Sequence, residues 1–118
     1  MIQQFVATVQ AALSRARALH DISAVKEVEQ AIGDLMELDP DTAMSLAPQS
    51  LVTMMSLAGT GDATAGYIAY ALNQLSECYQ GMGEERLSEL RKEQAHAICT
   101  AFDVSGEEIP EEFQGLQH

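Results

Sequence analysis

Residues 42–76 carry one formal charge, Asp62, although one residue in five of the whole chain is charged. A stretch so poor in charge and so rich in Leu, Met and Ala gains by leaving water. It is therefore expected to form the core, or to be covered by a second subunit. It runs from Thr42 through an apolar segment at 51–58, pauses at Gly59-Thr60-Gly61-Asp62, and continues through a small-residue and tyrosine run at 63–75. Pro48, Gly59, Gly61 and the interspersed hydroxyls leave no run of about 20 apolar residues, the length that crosses a bilayer. No membrane span is expected.

The rest of the composition fits one all-α domain. A chain of 118 residues is long enough for a single core without covalent staples. Residues 1–113 are read as that domain and 114–118 as a disordered tail. Apolar residues make up 47%, with no Trp and three Pro, and the abundance of Ala, Leu and Met favours helices over a β-sandwich. Eighteen acidic residues against six basic ones give a net charge of −12. Such a surface repels phosphate backbones and anionic headgroups, so neither nucleic acid nor a membrane surface is an expected partner. Cys78 and Cys99 fall inside predicted helices, and no basic-then-apolar leader pattern opens the sequence, which points to a reducing cytoplasm.

Periodicity predicts five to six helices. Ile2, Phe5, Val6, Val9, Leu13, Ala16 and Leu19 recur at steps of three and four, one face of an amphipathic helix that ends near Arg15, Arg17 and His20. Asp21 or Ser23 can cap a second helix, with Ile22, Val25, Val28, Ile32, Leu35 and Leu38 facing inward. Its outer face holds Glu27, Glu29, Asp34 and Glu37 against Lys26 alone and is read as solvated, or as a docking surface for a basic partner that the arginines of the first helix partly neutralise. Together these helices predict an antiparallel hairpin at about 2–38.

Asp39-Pro40 and Ala47-Pro48 each stop one helix and start another, because proline suits a first helical position and biases the residue before it away from the helical region. The second of these opens a segment with Leu51, Val52, Met54, Met55 and Leu57 that is apolar almost all round, as expected of a covered helix. Gly59 suits a left-handed stop, and Asp62 is the expected cap of the following helix. There Ile68, Leu72, Leu75 and Tyr79 form a stripe, while Ala65, Gly66, Ala69 and Ala71 predict a close neighbour. Gly81-Met82-Gly83 turns the chain into a last helix to about 102. Leu87, Leu90, Gln94, Ile98, Ala101 and Phe102 are its expected inner face, and Arg86, Arg91 and Lys92 are expected to pair with Glu85, Glu89 and Glu93 on the surface. The second hairpin thus spans about 63–102. Beyond it, Ser105-Gly106-Glu107-Glu108 matches a capping box, and Ile109 and Phe113 are expected to pin the tail to the body.

No chemistry-bearing motif emerges. His96 and Cys99 lie three apart, but reflection about Met82 places Cys78 opposite Arg86, about 15 Å from them at 1.5 Å per residue, so no shared metal or nucleophile site is expected. Gly59-Thr60-Gly61-Asp62 lacks the lysine and the spacing of a phosphate loop. The protein is expected to be non-enzymatic and without cofactor. Met44, Met54 and Met55 offer adaptable apolar surface, and Tyr67 and Tyr70 lie beside the small residues; these five are the candidate interface or pocket.

The run Leu35-Met36-Glu37-Leu38-Asp39-Pro40-Asp41-Thr42-Ala43 resembles the junction between repeats of tetratricopeptide-type helical proteins. Leu72, Leu75, Ser76, Tyr79 and Gly83 are similar in spacing to the first helix and turn of such a repeat. The resemblance implies stacked helical hairpins that mediate protein contacts, and assigns no functional residue. The expected function is therefore that of a helical interaction or structural protein, oligomeric through its weakly charged middle. The alternative is a small-molecule binder with a pocket of Met and Tyr.

Overall fold

Helix boundaries follow from local chemistry at each junction. The computed structural model describes residues 2–104, without the side chains of Ile2, Gln3 and Leu19. Over these residues it contains six helices and no strand: α1 (Ile2–Leu19), α2 (Ile22–Met36), α3 (Pro40–Ser45), α4 (Pro48–Leu57), α5 (Asp62–Gly81) and α6 (Glu85–Phe102). Asp21 caps α2, its Oδ1 accepting from the Ser23 amide at 3.0 Å and the Ser23 hydroxyl at 2.7 Å. Asp39 caps α3 through the Thr42 amide at 3.1 Å. Pro40 and Pro48 occupy the first turns of α3 and α4, where a missing amide proton costs no helical bond. The expected capping role of Asp62 is not observed: Gly61 holds the cap position, and Asp62 is the first residue of α5, its charge at the positive helix end.

α2 ends at Met36, two residues before the expected Leu38, because Glu37 turns left-handed at φ 58°. The Leu38 amide then donates to the Gly33 carbonyl at 2.9 Å and the Glu37 amide to the Asp34 carbonyl at 3.2 Å, closing the helix end. This sharp exit returns Pro40 onto the last turn of α2, so close to Gly33 that a β-carbon there would sit 2.9 Å from the Pro40 Cα and 3.0 Å from the Leu38 oxygen.

α1 packs on α2, and α5 on α6, as the two expected hairpins; α5 also touches α1 and α2 and so joins them. Phe5, Val6, Val9, Leu13 and Ala16 of α1 are buried as expected. The hairpin of α5 and α6 is joined where Ser76 and Ser88 exchange bonds, each hydroxyl donating to the other residue's carbonyl at 2.8 Å. The inner face of α6 holds Leu87, Gln94, Ile98 and Phe102 as expected, with Leu90 half-buried; Arg91 and Ala95 are buried there as well, and Ala101 is exposed. Ile22, expected inside, is half exposed.

The expectation that 42–76 forms the core holds for its second half. Ala65, Ile68, Ala69, Ala71, Leu72 and Leu75 of α5 are all fully buried. α4 is not central: it lies along α6 and buries Leu51 and Met55. The expected tail features, the cap at 105–108, the anchors Ile109 and Phe113, and the disorder of 114–118, lie outside the described residues.

Gly33 of α2 and Gly66 of α5 should respond to substitution in opposite directions. Gly33→Ala forces a backbone clash with Pro40 and is expected to destabilise the fold by about 1–3 kcal/mol, as overpacking does. Gly66, expected to mark close helix packing, has nothing within 4 Å of a built β-carbon. Gly66→Ala should therefore stabilise by about 0.5–1 kcal/mol through reduced chain entropy. Urea unfolding followed by circular dichroism measures both.

Candidate functional site

Four polar side chains from three helices meet inside the protein. Glu29 of α2 and Arg91 of α6 are each only 4% exposed, and Gln94 is fully buried. Glu29 belongs to the inner face of α2, between Val25 and Ile32, because its spacing from both is that of a core position. This corrects the expectation of a solvated carboxylate at Glu29 and of a surface pair at Arg91.

Glu29 Oε2 accepts three bonds: from the Tyr79 hydroxyl at 2.7 Å, from Arg91 Nη2 at 2.8 Å and from Arg91 Nε at 3.2 Å. Lys26 Nζ lies 3.5 Å from Oε1. The guanidinium carbon sits 5.7 Å from the centre of the Tyr79 ring, a cation–π distance. Arg91 Nη1 donates to the Met44 carbonyl at 2.9 Å and to Gln94 Oε1 at 3.1 Å. Gln94 Nε2 donates to the carbonyls of Met44 at 3.1 Å and Leu46 at 2.9 Å. Those carbonyls lie at the end of α3, where helical partners have run out. The cluster therefore joins α2, α5 and α6 and fixes the link from α3 to α4.

Its chemistry is that of a clamp. Burial, reinforced by the bond to Glu29, pushes the Tyr79 hydroxyl well above its ordinary pKa of 10.0 and keeps it a donor. The carboxylate that would otherwise serve as a base holds three donors on one oxygen, and Glu29, Met44 and Arg91 also line an open depression together with Lys26, Asp41 and Glu89.

The five candidate residues do not form one pocket wall. Met44, Met55 and Tyr70 are buried in the common core, and Tyr67 packs at its edge. Met54 points outward, 38% exposed, and one turn further on Leu57 is 79% exposed. Met44 contributes through its backbone carbonyl to the clamp. Cys78 is buried, with its thiol pKa raised mainly by burial, while Cys99 is half-buried and His96 exposed. Among the described residues no helix is long and apolar enough to cross a membrane. Comparison with protein families, with curated proteins and with solved structures found no match for this chain.

Spacing was the available signal for Glu29 and Arg91: each falls on a helical stripe of core residues. Formal charge masks it, because an isolated carboxylate or guanidinium belongs in water and only a partner from another helix reverses that preference.

Removing one member should leave the other charged and buried. Arg91→Ala is expected to cost about 3–5 kcal/mol, whereas the paired replacement Glu29→Leu with Arg91→Met should recover most of that loss. Urea midpoints of the three proteins decide this. Tyr79 adds an alkaline limit: since its folded pKa lies above its unfolded one, its contribution is complete below about pH 10 and is lost as pH rises beyond that. Thermal unfolding between neutral and strongly alkaline pH should show that decline, and Tyr79→Phe should flatten it.

Proposed function

We propose that this is a non-enzymatic helical protein that works through protein contact, and that it self-associates through the outer face of α4. The observation that carries this reading is the pair Met54 and Leu57, 38% and 79% exposed and one turn apart, within a run, residues 42–61, that contains no charged residue. Elsewhere the surface belongs to a chain of net charge −12, so two copies repel each other on most approaches. An uncharged apolar face is where that repulsion costs least and where burial returns most.

The organisation into helical hairpins, similar at 35–43 and 72–83 to tetratricopeptide-type proteins, supports a role in protein contact. The acidity weighs against nucleic acid and anionic membranes as partners. A clamp whose polar groups are engaged with one another also favours a structural role over catalysis.

The size of the face sets the expected strength. A helix of ten residues is about 15 Å long, and one side of it offers well under the roughly 800 Å² per partner of a stable dimer. Association is therefore expected to be weak and concentration-dependent. Light scattering across the micromolar range should show dimer growing in, and Leu57→Glu should raise the dissociation constant at least about tenfold, as removal of a central apolar anchor does, without lowering the melting temperature. A strict monomer at the highest concentrations, with no effect of Leu57→Glu, would remove this reading.

A further inference from the structure

A second surface, on the opposite hairpin, has a different chemistry. Between α1 and α2 runs a groove of about 360 Å³ whose floor is Phe5, Ala31 and Leu35 and whose rim includes Thr8, Glu27 and Asp34. Phe5 is buried and Leu35 half-buried, so the floor is apolar. Glu27 and Asp34 lie seven residues apart on α2, about 10 Å along its axis.

The two acidic ends differ. Glu27 is neutralised from across the groove by Arg15 of α1. Asp34 accepts from a neutral donor, the Gln30 amide at 3.0 Å. It sits in the last turn of α2, which contains no basic residue and is followed by Glu37 at the cap. A helix C-terminus is already the negative end of the backbone dipole and favours cations. Among the described residues, the groove is thus satisfied at its Glu27 end and holds no positive charge at its Asp34 end.

From this we infer that the groove docks an amphipathic helical segment of another protein, which lays apolar side chains over Phe5, Ala31 and Leu35 and sets a Lys or Arg against Asp34. An elongated, apolar-floored groove between two helices suits a helix presenting residues at steps of three and four. The charge excludes the chain's own 105–118 as the natural occupant, since its apolar Ile109, Phe113 and Leu116 are interleaved with four glutamates. The site is independent of self-association through α4.

The probe is a fluorescein-labelled helical peptide with Leu at steps of three and four and two Lys one turn beyond, titrated with the full chain and read by fluorescence anisotropy. Asp34→Asn is expected to weaken binding about tenfold, since truncating a docked charge pair costs at least that. Asp41→Asn, the same charge change on α3, should leave it unchanged. Thr8→Trp, at an exposed position on the rim, should fill the groove and weaken binding by a similar factor, and Leu57→Glu should have no effect. Equal losses from Asp34→Asn and Asp41→Asn would mean diffuse attraction to an acidic protein and overturn the inference, as would unchanged binding by Thr8→Trp. Displacement of the probe by hexylamine at matching concentration would make this a small-amine site. Displacement by a peptide of residues 105–118 would make it a seat for the chain's own tail. Either result overturns docking of a basic segment.

Discussion

Glu29 and Arg91 stand 62 positions apart in the chain, and their contact ties the two hairpins together. The pair is isolated from water, so its worth depends on how completely its remaining valences are met. Here they are met by three further groups: the Tyr79 hydroxyl on the shared carboxylate oxygen, and Gln94 with the α3 carbonyls on the guanidinium side. A hydrophobic substitute for Glu29 and Arg91 could fill the same volume while Gln94 still donates to the carbonyls of Met44 and Leu46. Gln94 therefore has a job that packing alone cannot do. It fixes the link between α3 and α4, a segment with only a few buried side chains of its own.

The surrounding core depends on that arrangement. α5 is buried by contact with α1, α2 and α6, and its tyrosine at 79 is the point where apolar packing passes into the polar centre. The tight end of α2 matters for the same reason: the left-handed Glu37 and the close approach of Pro40 to Gly33 bring α3 back under α6, where its carbonyls reach Arg91 and Gln94. α4 emerges from this junction as a side helix. Its inner residues Leu51 and Met55 hold it to the body while Met54 and Leu57 remain in water, so the part of the chain poorest in charge also supplies an exposed apolar face. The groove between α1 and α2 presents the opposite combination, an apolar floor with an acid at one end that no described residue neutralises. Two surfaces of such different character suit different occupants.

Much of the architecture was legible from residue order. The periodicity of α1, the proline starts of α3 and α4, the cap at Asp21 and the glycine turns are local events, set by side chains within a few positions of one another. The inner face of α6 was legible at Leu87, Gln94, Ile98 and Phe102 but not at Arg91 and Ala95, because a periodic reading favours the apolar Leu90 and Ala101. Gly66 differs for a related reason: a small residue permits a close neighbour but does not supply one, and α6 bonds to α5 at Ser76 instead. The candidate set of Met and Tyr residues came apart in the same way, since facing directions around α4 separate Met54 from Met55.

The sequence by itself determined an all-α chain of five to six helices, their order, their pairing into two hairpins and the acidity of the chain. These rest on short-range propensity, capping and composition. Tertiary structure decided which charges leave water. Glu29 and Arg91 are unfavourable in a core one at a time and acceptable together, and whether they meet depends on the register of helices far apart in the chain. It also decided which apolar residues stay exposed, because among the described residues α4 lies mainly against α6 and hides chiefly the side that faces it.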